Sequence, residues 1–529
     1  MKLLKHTGCL LAAVLCASAS AELYNMPFKG QNFSDNEKLY TRDHAVTTSQ
    51  QHGYDISARR YDFTNDRWTS VYGTVDAYKN NPTNSKKIVY NKPIYAMRSG
   101  KIVGCWRNAP ENPRPKLSGD SDRTKPWLHS DFKAGLIPGG GNMLWVEHTD
   151  GTRMLYAHMI PGTISSQLCP NNDSIYPAPL NGQDSFTYVG VDEADQVTIQ
   201  KGQYLGRVGN SGSSTGPHLH IHLQNSNGVG QKIYFSRGIS SPISNSNPYG
   251  TWTRFAGDTI PSGSRLLWAP RTVGSQYVRH GFGSAGFQAL FDHLADSGYK
   301  MTWVDGYNVG SRTYYNMIWR PANISWRAYV GRSSTSYQNA FDDAIEDGYV
   351  PVHVDSHKSA YGPRFSVIFE KKNKTFLARH DISYSQHITA MNQAKNLGLS
   401  PVSVSVLSNN GQRRYTTLYD KTNIGQWTIS SQINSSSYQD KVMQQDEQGK
   451  RPVYLNAYMH NNNAYYTAIF AQYPFKLWTA RHGQTSGGFQ NYFNSYTSNG
   501  YLTDVIAGID GYNYHRFAGV WTKNFIIQL

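Results

Sequence analysis

The sequence predicts a two-part chain: an all-β first half, a short linker, and an α+β tandem-repeat array of five units of about 50 residues each. Three observations carry this. At 529 residues the chain is too long for one ordinary domain. Its first 240 residues hold short β-type runs, such as "KIVGCW", "NMLWVEH", "RMLYAHM" and "HLHIHL", parted by Gly, Pro and Asn turns, with no long helical period. Beyond residue 265, Gly298, Gly348, Gly398, Gly449 and Gly500 recur at a nearly fixed interval.

The opening, "MKLLKHTGCLLAAVLCASASA", has a basic end, an apolar run and a small-residue cleavage signal at Ala19-Ser20-Ala21. It reads as a secretory signal peptide over residues 1–21, so the mature chain is expected outside the cytoplasm, secreted or periplasmic. No later stretch is apolar for 18 residues, so no membrane span is expected. Cys9 and Cys16 leave with the signal, and Cys105 and Cys169 are expected to form one disulfide in an oxidising compartment. The formal net charge is +15. Taking away Lys2 and Lys5 still leaves a strongly basic chain, which favours anionic envelope polymers as partners. Nucleic acid is disfavoured, because there is no Lys/Arg run and no recognised nucleic-acid motif.

The first half is expected over residues 22–240. "SRGISSPISNSNPYG" opens a Ser-, Gly-, Asn- and Pro-rich stretch read as a linker over 241–264. In residues 265–529 each repeating glycine follows a helix-like run, "FQALFDHLADSGY" in the first unit, and sits where a helix C-terminus wants a left-handed residue. An alternating strand follows, then a second strand closing on Trp319, Phe369, Tyr419, Phe470 or Trp521, then a third leading to the next helix. Such an array buries each unit's apolar face against its neighbours. Tyr314, Trp326 and Arg327, with Tyr465, Trp478 and Arg481, suggest a repeated aromatic and basic surface, although alternation in strands equally suits core positions. The pattern of helix, "GY", strand and "ARHG" resembles the bacterial tandem repeats found beside the catalytic domain in polyglycine hydrolases.

The candidate chemistry lies in the first half. "TGPHLHIHLQ" places His218, His220 and His222 on one side of a strand, about 6.5 Å apart. Alone this is a His-rich strand. "HGYDI" adds Asp55 and "LYAHM" adds His158, so the pieces of a metal-assisted hydrolytic site are present. The ordered series "IYAMRSGKIVG", "GGNMLWVEHTDGTRMLYAHM" and "IQKGQYLGRVGNSGSSTGPHLHIHL" resembles the lysostaphin/LytM-like zinc endopeptidases that cut peptidoglycan peptides. The resemblance implies a lysostaphin-like antiparallel sheet and one Zn2+. It makes Asp55 and His220 metal ligands and His158 and His218 catalytic, and it leaves His222 as a strand residue beside the site. The commoner ligand spacing puts Gln51 where a His belongs. Branches with the His further upstream make His44 the preferred third ligand; His52 through a local bulge, or no third ligand, are the alternatives. His148 is read as structural. The expected function is an exported zinc metalloendopeptidase acting on peptidoglycan cross-links or Gly-rich peptides. The competing reading is a catalytically degenerate, envelope-binding or regulatory protein.

Overall fold

The structure, a computed structural model, describes residues 22–524 apart from 35, 45–48, 63–64, 66, 121–130, 132–133, 174–188, 244–251, 272 and 475. The expected signal peptide therefore lies outside the described residues. Among the described residues no helix is long and apolar enough to cross a membrane.

The first half is built on one twelve-stranded sheet. Its main strands are β1 (Glu37–His44), β2 (Gly53–Asp62), β3 (Gly100–Trp106), β4 (Asn142–Glu147), β5 (Arg153–Met159), β6 (Leu219–Gln224), β7 (Gly238–Pro242), β8 (Thr253–Phe255) and β9 (Arg265–Trp268). They run in the order β8-β7-β9-β1-β2-β6-β5-β4-β3, and each pairs its neighbours antiparallel. The stretch read as a linker thus contains β8 and lies between β7 and β9. Its turn-rich composition hid a short edge strand, which pairs with β7. The expected disulfide joins Cys105 and Cys169, both fully buried.

Alternation along the strands sorts the sheet into two faces. Tyr54, Ile56 and Ala58 of β2, with Leu219, Ile221 and Leu223 of β6, enter the main core. The opposite face carries Asp55, Ser57, Arg59 and Tyr61 on β2, and His220 and His222 on β6. At one edge of that face Trp145, Leu155 and Ala157 form a second apolar cluster. At the other, Tyr61, Trp68, Leu266 and Trp268 pack directly against the first repeat through Phe282, Phe287 and Leu290. The two halves share a core.

Each repeat is a three-stranded antiparallel sheet with a helix between its outer and inner strands. In the first, Tyr277–Gly283 is outer, Phe287–Asp296 the helix, Tyr299–Val309 inner and Arg312–Pro321 middle. The strand expected to finish a unit instead pairs with the next one: Trp326–Arg332 bonds to Gly362–Glu370. The repeating glycines are left-handed, from φ 63° at Gly398 to 87° at Gly298, and all five closing aromatics are fully buried.

The array closes on itself. Gly306 N–H donates to Asp355 Oδ2 (2.9 Å), Ser356 N–H to Ser405 Oγ (2.9 Å) and Val406 N–H to Asn456 Oδ1 (2.9 Å), each bond reaching the next repeat. The inner strands of the fourth and fifth repeats pair in parallel at Ala457↔Ile509. The fifth returns to the first through Gly508 N–H to Asp305 Oδ2 (2.8 Å), Asn308 N–H to Asp510 Oδ1 (2.9 Å) and Trp303 Nε1–H to the Ile506 carbonyl (2.7 Å). Five inner strands therefore surround an axis, as blades do in a propeller. Asp305, Asp355, Ser405 and Asn456 occupy one position of the repeat and serve as latches. The fifth repeat has Ala507 there, and its strand pairing takes over.

The aromatic and basic set anticipated as a repeated surface is half-buried. Trp326 packs against the core shared with the first half, and Tyr314, Tyr465 and Trp478 against the ring core. Arg327 is paired with Asp347 at 2.6 Å, and Arg481 lies over Tyr492.

Candidate functional site

Three strands of the upper sheet face bring the site together. Antiparallel register sets Asp55 opposite Arg42 on β1 and opposite His220 on β6. Gly53 makes the close approach of β2 to β6 possible: a Cβ there would meet the Ile221 carbonyl oxygen at 2.9 Å and His222 Cβ at 3.0 Å. A side chain at residue 53 would push Asp55 away from His220.

His220 Nδ1 lies 2.9 Å from Asp55 Oδ1, and His218 Nε2 lies 3.5 Å from the same oxygen. The His158 ring stands 4.7 Å from that of His218 and 6.1 Å from that of His220. Asp55, His158, His218 and His220 thus meet at one point.

Surrounding backbone sets the ring orientations. His158 Nδ1 is 2.8 Å from the Ser211 carbonyl and His218 Nδ1 is 2.8 Å from the Gly216 carbonyl. A carbonyl only accepts, so both rings carry a proton on Nδ1. His158 takes a left-handed backbone (φ 67°), in which its N–H bonds the Gly140 carbonyl and its carbonyl accepts from Gly209. Such a conformation costs on the order of 1 kcal/mol or more and persists where the surroundings enforce it. The loop supplying Ser211 and Gly216 is itself clamped by the buried Asn112, whose Nδ2 donates to the carbonyls of Asn210, Gly212 and Ser214.

Burial disfavours the charged form of Asp55, His158 and His218, and the charges then sort them. Asp55 is held far below the usual carboxylate range, because the two adjacent histidines outweigh its burial. Burial pulls His218 down, but the charge and hydrogen bond of Asp55 prevail and raise it. His158 is pushed well below its ordinary value by burial and by its histidine neighbours. The cluster therefore pairs a charge-accepting imidazole at His218 with a neutral one at His158.

Sequence reasoning left His222 as a strand residue beside the site and passed over Gln224. His222 is fully buried, edge-on to Trp145, with Nδ1 2.8 Å from His220 Nε2 and Nε2 2.9 Å from Gln224 Nε2. Since Asp55 only accepts, the chain runs from Gln224 through His222 and His220 to Asp55. The alternation that places 218, 220 and 222 on one face was the available signal, and Gln224 continues it.

The backbone of His44 ends β1 opposite Gly53, two pairs along from Arg42–Asp55; its side chain lies outside the described residues. His52 lies in the turn before β2 with φ 71°. His148 is buried away from the site, bonded to the Ser99 carbonyl at 2.8 Å. Asp55 and His220 offer oxygen and nitrogen donors of the kind zinc takes. Among the described residues, no three His, Cys, Asp or Glu side chains form a complete cation site.

A sheet bearing an Asp–His cluster, packed against a closed ring of five repeats, defines the class of protein. Residues 274–322, 323–372, 374–422, 425–473 and 476–524 match the family model described as "Polyglycine hydrolase-like, structural repeat". Among solved structures, the chain is similar to the catalytic domain of the antimicrobial peptidase lysostaphin from Staphylococcus simulans, at 17% identity and a TM-score of 0.18, over 38% of this chain and 90% of that one. It is similar to the M23 metalloprotease pseudoalterin from the deep sea at 16% identity and a TM-score of 0.21, over 47% and 99%. For a further structure, of the antimicrobial peptidase lysostaphin from Staphylococcus simulans, the figures are 13% and 0.20, over 66% and 92%. No curated protein matches the chain.

Proposed function

We propose that the chain is an exported zinc metalloendopeptidase that hydrolyses peptide bonds in peptidoglycan cross-links or Gly-rich peptides. The observation that carries this reading is the meeting of Asp55, His218, His220 and His158 on one face of a rigid sheet. Asp55 and His220 would hold the ion, with His44 as third ligand. Bound zinc supplies a water whose pKa falls toward 7. His218, with Nδ1 committed to Gly216 and Nε2 turned toward Asp55, takes and returns a proton. His158, kept neutral by burial with its proton on Nδ1, offers an unprotonated Nε2 beside it as a proton acceptor. His222 and Gln224 hold the His220 ring in place.

Metal analysis with a digestion assay tests the reading. Wild-type protein should carry close to one zinc per chain and cleave peptidoglycan or oligoglycine. His220→Ala and His44→Ala should each lose both properties. A wild-type protein that binds no zinc and cleaves neither substrate overturns the enzyme reading. That result would favour the envelope-binding alternative, which Gln51 at the usual ligand spacing motivates.

A further inference from the structure

Where one repeat meets the next, the outer strand of one lies beside the helix of its neighbour. A bulge in that strand marks equivalent positions: His280, His380, Ser431 and His482 each follow the residue at which the register shifts. The three histidines pack on an aromatic near the start of the neighbouring helix. His280 lies 5.0 Å from Phe489, His380 4.8 Å from Tyr337 and His482 4.9 Å from Tyr438. The second repeat has Val330 there, packed against the core shared with the first half. Between the third and fourth repeats both partners are changed. The helix Tyr384–Asn396 carries His387 at the aromatic's position, and the strand Trp427–Asn434 carries Ser431 in place of the histidine. A hydroxymethyl group is far smaller than an imidazole, and a cleft of 1020 Å³ lined by both residues opens there.

The cleft is close to neutral. Its charged lining residues are Asp440 and Lys441, one of each sign, and Lys441 Nζ donates to Gln444 Oε1 at 2.8 Å. Burial lowers His387 to about 4, so its ring is uncharged at neutral pH. That ring stacks on Tyr415 at 4.7 Å, and Tyr384 rests against both, at 6.4 Å and 5.9 Å, yet stays 51% exposed. A large ring held in place with open surface is a platform for a flat apolar face. Ile388 and Met391 extend the apolar wall. Gln432 Nε2 donates to the Tyr415 hydroxyl at 3.2 Å, and Asn434 Oδ1 accepts from Ser436 N–H at 3.0 Å, so both amides are fixed and each keeps a second polar atom for a ligand. A polyanion would bring its charges beside Asp440 with no surplus of cations to offset them. A peptide adding as a strand needs free backbone acceptors, whereas the Ser431 carbonyl already accepts from Tyr458 Oη at 2.9 Å and Thr467 Oγ1 at 3.2 Å.

We propose that this cleft binds a neutral oligosaccharide bearing acetamido groups. A sugar ring lies on Tyr384, hydroxyls reach Gln432, Asn434 and Asp440, and acetamido methyls meet Ile388 and Met391. The repeat ring thereby gains a glycan site of its own. This does not depend on the hydrolytic reading, because binding is measured without turnover.

The test is calorimetry on the full mature chain at physiological salt. The probes are a chitooligosaccharide (β-linked N-acetylglucosamine), an acidic hyaluronan oligosaccharide of equal length, and an oligoglycine peptide. The chitooligosaccharide should bind at least tenfold more tightly than either of the others. Ser431→His, which restores the residue found in the first, third and fifth repeats, should refill the cleft and weaken binding at least tenfold. Asp440→Ala, at an exposed position, should weaken it severalfold while leaving the melting temperature unchanged. The proposal is overturned if the chitooligosaccharide fails to bind, if hyaluronan or oligoglycine binds as tightly, or if either variant melts like the wild type and keeps its affinity. The chitooligosaccharide contains no peptide linkage, so none of these results bears on zinc content or cleavage, and the peptidase reading stands or falls separately.

Discussion

Replacing Asp355 by Asn should change the pH dependence of stability by an amount the ring geometry allows one to work out. Asp355 is 1% exposed, accepts from Gly306 N–H of the first repeat at 2.9 Å and from Ser405 Oγ of the third at 3.1 Å. Burial raises its carboxyl from 3.8 to about 7. Asp305 in the same layer is raised well above its ordinary value, by burial first and then by the charge of Asp355. An acid whose folded pKa is raised contributes stability that is present below the unfolded pKa and lost as pH climbs through the folded one. For a rise of about 3 units, the loss totals ~4 kcal/mol, of which about 3 kcal/mol falls between pH 5 and pH 8. Asn keeps the shape and one acceptor for Gly306 N–H, and the fourth repeat already uses Asn456 at this position. His353 and His357, lowered by burial to about 4 and about 3, act in the opposite sense, costing stability as pH falls. They are present in both proteins and cancel in the difference. Urea unfolding followed by tryptophan fluorescence at pH 5 and pH 8 should show the variant gaining about 3 kcal/mol on the wild type across that range. An equal difference at the two pH values would refute a strained, buried carboxylate at the ring axis.

Two further outcomes follow from the described contacts. The Cys105–Cys169 bridge spans a sequence separation of 64, for which loop-closure entropy corresponds to about 4 kcal/mol; the double Cys→Ala variant should lose stability of that order by urea titration, and a loss under 1 kcal/mol would assign the bridge no structural weight. Removing Leu477–Lys523 should abolish cooperative melting and expose dye-binding apolar surface, because it uncovers Trp303 and removes Asp510, which holds Asn308 N–H and Lys358 N–H of the first two repeats. An open array would tolerate loss of its last unit with a modest fall in melting temperature, so a retained sharp transition would contradict ring closure.

Much of this molecule could be read from local pattern. Residue alternation in "HLHIHL" assigned the three histidines to one face before any partner strand was known, because strand geometry is local. The glycine spacing defined the repeats for the same reason: a helix end needs a left-handed residue whatever surrounds it. Other features depended on contacts between residues far apart in sequence. A fixed period is equally compatible with an open stack and a closed ring; closure rests on Asp305 meeting Gly508, some 200 residues away. The strand finishing one unit pairs with the next, which periodicity cannot phase. The Ser- and Pro-rich stretch after residue 240 was read from its composition, whereas β8 forms there by pairing with β7, a partner that composition does not reveal. At the site, sequence order placed Asp55, His158, His218 and His220 in one cluster. The inclusion of His222 and Gln224, the left-handed turn at His158 and the clamp from Asn112 were decided by tertiary packing, which alone determines which buried donor faces which acceptor.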